Sequence, residues 1–284
     1  MRFLILRKAD VDTERGMMPG EELLSAMGAY NQQLVEAGVM RMGEGLRPSN
    51  EGVRLKLSNG QATVTDGPFT ETKELVAGLS VFETASRDEA VAWIKAWPSQ
   101  DGDVTVDIRE TGCPGGCAEV HPDPAASTGG RRFAVLLRST PALEAEEPVA
   151  QEKLDRLDAH NAAEAKKGVL LGADGLRSSA HASRVQFKDG KPTVIDGPFT
   201  EIKELIAGYW LIRVASMAEA IEWAKRNPYP TGPDVEVEIR SMYELDDLDP
   251  AFTPELREAE DRMRHAQLES GMRDQLASGA PAWR

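Results

Sequence analysis

The chain repeats itself at a fixed offset of 130 residues. Residues 63–78 read TVTDGPFTETKELVAG and residues 193–208 read TVIDGPFTEIKELIAG, so 13 of 16 positions are identical. Residues 21–37 and 151–167 agree at only 4 of 17 positions. So long a period predicts a duplicated domain of about 110 residues rather than a solenoid of short repeats. The retained segment must therefore meet a tighter requirement, structural or functional, than the helix that diverged.

Each repeat carries the same order of predicted elements: strand, helix, strand, hairpin, strand, helix, strand. Asn59-Gly60 and Asp189-Gly190 stand between alternating apolar residues and predict two-residue hairpin turns. Ser86 and Ser216, each with a glutamate three residues later, predict the start of the second helix. This order is typical of a ferredoxin-like α+β domain with an added hairpin strand. The fold expected is α+β, with two such domains in tandem.

The duplication divides the 284 residues into four parts. We predict a first domain over 1–110, a linker over 111–130, a second domain over 131–243, and an acidic stretch with a C-terminal helix over 244–284. The linker is rich in Gly and Pro and has no apolar periodicity, which indicates an exposed connection.

The C-terminal helix is predicted to begin at Thr253-Pro254, with proline at its first position. Its apolar residues form one narrow stripe at helical spacing, Leu256, Ala259, Met263 and Ala266. Such a stripe is expected to pack on the body of the protein or on a partner subunit. The helix is therefore the candidate contact of a homo-oligomer.

Composition narrows the classes of function. There are 33 Lys and Arg against 47 Asp and Glu, a net charge of −14, which repels nucleic acids and anionic membranes. The apolar runs are too short to cross a bilayer or to form a signal-peptide core. A cytoplasmic protein without nucleic-acid or membrane partners is expected.

No cofactor or metal is predicted from motifs. The sequence has no G-x-S-x-G, no P-loop and no G-x-G-x-x-G, so nucleotide and dinucleotide chemistry has no support. Cys113, Cys117 and His121 give C-x3-C-x3-H, but zinc sites of this kind use a second ligand pair. A flexible linker with reduced thiols is the favoured interpretation.

Asp66 and Asp196 are the candidate catalytic carboxylates, since each follows a strand and precedes Gly, Pro and Phe. Partial desolvation there would raise the pKa of the carboxyl and suit proton transfer. The structural alternative is a turn in which the aspartate accepts the amide of the phenylalanine or of the next threonine. Phe69 and Phe199 are candidate substrate contacts, with a role as core anchors as the alternative.

Basic residues recur at matched positions in the two repeats. Lys73 and Lys203 lie among glutamates, where they either bind an anionic substrate group or form surface ion pairs. Arg47 and Arg177 follow the second strand and either clamp a carboxylate or remain solvated. His160 is a candidate base on the first helix of the second repeat, where a solvated side chain is the alternative.

The segments around Asp66-Gly67-Pro68-Phe69 and Asp196-Gly197-Pro198-Phe199, each followed by T-E-x-K-E, resemble the DGPF-type branch of the YCII-related family. Gly-Leu-Arg at 45–47 and 175–177 belongs to the same resemblance. The resemblance implies a ferredoxin-like fold whose sheets pair into a dimeric α/β barrel, which two copies in one chain would build by themselves.

The resemblance also bears on activity. Relatives include a dehydrochlorinase and muconolactone-isomerase-like proteins with a His–Asp pair, and some relatives are encoded near extracytoplasmic-function sigma factors. Here Tyr30, a candidate substrate contact, stands at the position that His160 occupies in the second repeat. The first hypothesis is a lyase or isomerase that binds a small molecule in a barrel cleft and uses aspartate acid–base chemistry. The alternative is a non-catalytic ligand-binding or regulatory module.

Overall fold

The computed structural model describes residues 1–69, 75–112, 120, 129–202, 205–232, 234–244, 247 and 252–277, with side chains of the last helix described as far as 267. The first repeat contains β1 (Arg2–Lys8), α1 (Val11–Glu14), α2 (Glu21–Glu36), β2 (Met40–Gly45), a 3-10 turn (Ser49–Glu51), β3 (Val53–Ser58), β4 (Gln61–Asp66), β5 (Val76–Glu83), α3 (Arg87–Lys95) and β6 (Thr105–Glu110). The second repeat contains β7 (Arg131–Arg138), α4 (Pro141–Glu144), α5 (Gln151–Lys166), β8 (Leu170–Gly175), a 3-10 turn (Ser179–His181), β9 (Ser183–Lys188), β10 (Lys191–Asp196), β11 (Ile206–Val214), α6 (Met217–Arg226) and β12 (Val235–Ser241). Helix α7 (Pro254–Ala277) follows.

Local sequence signals account for the ends of these elements. Asn59 and Gly60 both have positive φ, 50° and 75°, as a tight hairpin turn with the twist of the strands requires. The Ser86 side chain accepts the Glu89 amide at 3.2 Å and so begins α3. Gly38, at φ 71°, follows the end of α2. The predicted mixed α+β architecture is confirmed. None of the described helices combines the length and apolar character that crossing a membrane requires.

The described strands form two six-stranded antiparallel sheets, with one hairpin exchanged between the repeats. The first sheet has the order β10-β9-β6-β1-β5-β2 and the second the order β4-β3-β12-β7-β11-β8. The hairpin of each repeat thus extends the sheet of the other, and Leu55 pairs with Val237 as Val185 pairs with Val106. The sequence predicts the hairpin strands without assigning their partners, because alternating apolar residues predict a strand but not the strand with which it pairs.

Three apolar cores hold the layers together. Phe3 and Ile5 of β1 face α2 and α3, whereas Leu4 and Leu6 face the second sheet. The same alternation in β7 places Ala134 and Leu136 in the core between the sheets. Because β1 and β7 are buried on both faces, they read as continuous apolar runs. The order of the layers is helices, first sheet, second sheet and helices. The candidate sites described below occur in pairs, one in each repeat.

Candidate functional site

The DGPF segments, residues 66–69 and 196–199, are built into a close backbone contact. A Cβ on Gly67 would lie 1.8 Å from the Ser49 carbonyl oxygen, and a Cβ on Gly197 would lie 1.7 Å from that of Ser179. Both Gly–Pro peptide bonds are cis. The Phe69 amide donates to Ser49 Oγ at 3.1 Å, and the Phe199 amide repeats this bond to Ser179. Glycine is therefore required here for space.

Both candidate aspartates lie on the surface. Asp66 is exposed at the end of β4, and the side chain of Asp196 is 64% exposed. Ser183 Oγ donates to Asp196 at 2.7 Å. The phenylalanine amide that the turn hypothesis assigned to each aspartate is bonded to a serine hydroxyl instead. The structure therefore ties the shape of the segment to serine, with aspartate outside that hydrogen bond.

We expect Asp66→Asn and Asp196→Asn each to lower the free energy of unfolding by less than about 1 kcal/mol, because exposed charges contribute little and asparagine keeps an acceptor for Ser183. Urea unfolding followed by circular dichroism measures the difference. Asp196→Ala, which removes the acceptor, is the matched comparison. A loss above about 2 kcal/mol for either asparagine variant would contradict a surface role.

The phenylalanine rings of the DGPF segments contact arginines that are tied to the other repeat. The Arg54 guanidinium lies 4.2 Å from the centre of the Phe69 ring and also donates to Glu238 at 3.1 Å. Arg184 lies 4.6 Å from the centre of the Phe199 ring and donates to Asp107 at 2.6 Å. At both places the arginine that lies over the ring forms an ion pair with a carboxylate of the other repeat, and this ion pair joins the repeats.

A buried network continues from the first DGPF segment into the second repeat. Ser49 donates to the Glu14 carboxylate, which lies 3.3 Å from Nη2 of Arg240. Arg240 is fully buried and donates to the Arg47 carbonyl and, at 3.0 Å, to Glu238. The contacts of Arg240 with Glu14 and with the Arg47 carbonyl join the second repeat to the first.

The Glu238 carboxyl makes the stability of the fold depend on pH in the acid range. Burial by itself would raise its pKa, but Arg138, Arg240 and Arg54 outweigh burial and hold the pKa below its ordinary value. A carboxyl with a depressed folded-state pKa contributes stability above its unfolded pKa, and that contribution is lost as the pH falls. We expect the free energy of unfolding to decline as the pH falls below about 4.5.

Glu238→Gln should remove part of that decline, because the glutamine cannot titrate. Urea unfolding at several pH values between about 3 and 7 gives the slope of free energy against pH. Glu152→Gln, at a side chain that is 85% exposed, is the matched control. Equal slopes in the two variants would show that Glu238 does not carry the acid sensitivity.

The two candidate arginines are already paired. Arg47 donates to Glu51 at 3.0 Å, forms an ion pair with Asp247 at 2.6 Å and lies over the Tyr243 ring. Arg177 forms ion pairs with Glu146 and Glu110 at 3.3 and 3.4 Å. Neither guanidinium is held open for a carboxylate.

The remaining candidates are dispersed. His160 is half-buried on α5 beside the Trp223 ring, and its Nε2 has no hydrogen-bond partner among the described residues. Burial lowers its pKa despite the opposing charge of Glu164. Lys73, Lys203, Cys113, Cys117 and His121 lie outside the described residues. Within the described ranges, no cluster of three or more metal-ligating side chains occurs.

The first cavity, of about 540 Å³, lies between α2, the outer face of β2 and β5, and α7. Six of its apolar lining residues are Met27, Met40, Leu79, Phe82, Leu256 and Met263. Tyr30 also lines it, and its hydroxyl donates to the Trp93 carbonyl at 3.0 Å while burial raises its pKa. Three stripe residues of α7, Leu256, Ala259 and Met263, face this space, so the tail covers the cavity.

Arg7 and Glu44, at the wall of the first cavity, each have partners of opposite charge. Arg7 donates to Asp101 at 2.8 and 2.6 Å and to Asp10 at 2.8 Å. Glu44 accepts from Arg132 of the second repeat and lies 3.7 Å from Arg264 of α7. Burial raises the pKa of the Glu44 carboxyl, and the two arginines offset this only in part.

The second repeat has a matching but almost closed space, the second cavity. It lies at the corresponding place between α5, β8 and β11 and holds about 60 Å³. Trp210 lines it, where the first cavity has Ser80. The bulky indole accounts for part of the difference in volume.

A model of the YCII-related domain matches residues 1–110 and, a second time, residues 132–243. The chain belongs to the YCII-related family. The two matches agree with the tandem duplication predicted from the internal offset. The uncharacterized protein R00369 of Rhizobium meliloti (strain 1021) is similar, with 37% identity over 71 residues. The matched stretch is 25% of this chain and 57% of that protein, so the chain spans little more than half the length of this curated relative.

Of the residues that line the first cavity, sequence reasoning finds Tyr30 and the apolar stripe of α7 but misses the polar residues. Arg7, Ser80 and Asp101 of the first YCII-related copy correspond to Leu137, Trp210 and Thr231 of the second. Identity between the copies is highest in the DGPF segments, where it marks close backbone contacts and not the cavity. The signal that would have found the cavity is a polar residue in one copy aligned with a large apolar residue in the other, as Arg7 is with Leu137 and Ser80 is with Trp210.

Proposed function

We propose that this YCII-related protein binds one small, uncharged, largely apolar organic molecule in the first cavity. The observation that carries the proposal is the difference in volume between the two matched cavities, about 540 Å³ in the first repeat and about 60 Å³ in the second. Ligand sites have volumes of about 300–1,000 Å³ and apolar walls with a few polar groups. Arg7 and Glu44 already have partners of opposite charge, which disfavours the anionic ligand expected from the basic residues.

The proposal includes the finer fold assignment. The strand order β6-β1-β5-β2, with helices on one face, supports a ferredoxin-like unit in the first repeat, and β12-β7-β11-β8 supports another in the second. The apolar core shared by the two sheets supports their pairing in the manner of a dimeric α/β barrel. In this arrangement the cavity lies on the helix side of the first sheet.

A non-catalytic ligand-binding or regulatory module is the form of this proposal that the surface position of Asp66 and Asp196 favours. The link to an extracytoplasmic-function sigma factor stays a prediction of the family resemblance. Glu44 favours a second candidate function, a lyase or isomerase, since a buried carboxyl with a raised pKa at a cavity wall suits proton transfer. Glu44→Gln would abolish turnover under that second function and leave binding in place.

The neutral fluorescent probe N-phenyl-1-naphthylamine tests the binding proposal. We expect saturable binding to the full chain and a loss of at least tenfold in Ser80→Trp, because tryptophan at the matched position fills the second cavity. Thr63→Trp, at an exposed position of β4, is the matched control and should bind as the wild type does. Equal binding by folded Ser80→Trp, or no saturable binding at all, would overturn the proposal.

A further inference from the structure

We infer that the ligand of the first cavity is a flat aromatic molecule with a ring system of about the size of indole, which donates one N–H or O–H hydrogen bond to Asn31. The inference rests on the proposed function, since it names the class of molecule that the first cavity takes. In the second repeat the side chain of Trp210 occupies the matching place, so its indole is the internal counterpart of the ligand.

The two places correspond residue by residue. Ser80 of β5 pairs with Ile5 of β1, and Trp210 of β11 pairs with Val135 of β7, each position 130 residues on. Asn31 on α2 and Asn161 on α5 are related by the same offset, within helices of 16 residues each. The strand residue and the helix residue therefore occupy matched positions in the two repeats.

The contacts of Trp210 show what the second repeat holds there. The indole is buried, and its Nε1 donates to Asn161 Oδ1 at 3.2 Å. An indole N–H can only donate, so the asparagine must present its carbonyl oxygen. The Tyr229 ring meets the indole edge-on, with the ring centres 5.4 Å apart. The site thus combines an aromatic neighbour with one fixed acceptor.

The first repeat has the matching asparagine, Asn31, but has Ser80 in place of the tryptophan. Asn31 and Ser80 both line the first cavity, and no described residue forms a hydrogen bond with the Asn31 side chain. Aromatic neighbours are again present, since Tyr30 and Trp97 line the space with their ring centres 5.7 Å apart. A molecule that replaces the missing indole would therefore find the same asparagine acceptor and aromatic neighbours, although Tyr30 and Trp97 lie at other positions in the repeat than Tyr229 does.

The remaining space sets the shape of the rest of the ligand. The first cavity exceeds the second by far more than an indole occupies, and it extends to Leu256, Ala259 and Met263 of α7. These neighbours are apolar, so a substituent on the ring that points to α7 would be apolar too. The paired state of Arg7 and Glu44 is the reason that the molecule carries no charge.

The test compares two probes of the same shape, indole and benzofuran, in which an oxygen replaces the N–H group. Isothermal titration of the full chain should give indole an affinity about tenfold higher than that of benzofuran, the value of one hydrogen bond to a group otherwise left unpaired. Asn31→Leu keeps the size of the side chain and should remove the preference, so that both probes bind alike. Asn161→Leu, in the occluded repeat, is the matched control and should leave the preference unchanged.

The outcomes separate this inference from the proposed function. Equal binding of indole and benzofuran to the wild type, or an indole preference that survives Asn31→Leu, would overturn the hydrogen-bond assignment. Binding of N-phenyl-1-naphthylamine without binding of either probe would overturn the ring assignment, and the cavity would remain a binding site. Absence of binding by all three probes would overturn both. Circular dichroism of each variant confirms that the fold is present before titration.

Discussion

Gly67→Ala is expected to lower the free energy of unfolding by about 3 kcal/mol or more, and Gly197→Ala by a similar amount. The added Cβ would lie 1.8 Å from the Ser49 carbonyl oxygen in the first case and 1.7 Å from that of Ser179 in the second. Both obstacles are backbone atoms, so relief requires moving the 3-10 turn away from the DGPF segment. The hydrogen bond that the Phe69 amide donates to Ser49 Oγ would be lost with that movement.

Urea unfolding of purified variants measures the effect. Gly28→Ala is the matched control, because Gly28 lies within α2 with no atom near the place of a new Cβ. That substitution should be neutral or stabilising by up to about 1 kcal/mol, the gain of alanine over glycine in a helix. An unfolding midpoint of Gly67→Ala close to that of Gly28→Ala would show that the contact is easily relieved.

Arg240→Met is expected to lower the free energy of unfolding by about 3–5 kcal/mol, the usual cost of removing one partner from a buried ion pair. The guanidinium is buried and serves Glu238, Glu14 and the Arg47 carbonyl, and methionine replaces none of these bonds. Glu238 would keep Arg138 and Arg54, whereas the second repeat would lose its bonds to Glu14 and Arg47.

Arg156→Met is the control for removing a surface arginine, since that side chain is 64% exposed in a pair with Glu152. It should change the free energy of unfolding by less than about 1 kcal/mol. The double variant Arg240→Met with Glu238→Gln should lose less than the sum of the two single losses, because the two side chains contact each other. Additive losses would contradict a shared network.

The elements of the fold could be predicted because each depends on local chemistry. Hairpin turns at Asn59-Gly60, caps at Ser86 and alternating apolar residues specify where strands and helices begin and end. The exchange of hairpins could not be predicted, because β3 would bury the same apolar residues whether it paired with β12 or with the matching strand β6. Partner choice depends on the whole arrangement of the two sheets.

The candidate site was harder to predict than the elements of the fold. Residues 66–69 and 196–199 are identical in the two repeats, and the structure shows why: Gly67 and Gly197 lie too close to the neighbouring backbone for a side chain. The cavity residues Asn31 and Ser80 carried no motif, because a single acceptor and a small side chain are common in any sequence. The apolar stripe of α7 was visible in the sequence, but what it covers depends on the position of the helix.

The exchange of hairpins also means that neither sheet can be completed while only the first repeat has been synthesised. When β6 has been synthesised, its outer edge has no partner until β9 and β10 emerge, more than 70 residues later in the chain. Hairpin β3–β4 waits longer still, for β12 near the end of the second repeat. Open strand edges of this kind are templates for pairing with other chains. Nascent chains on one polysome thus carry open edges that can pair wrongly with each other until the second repeat has been synthesised.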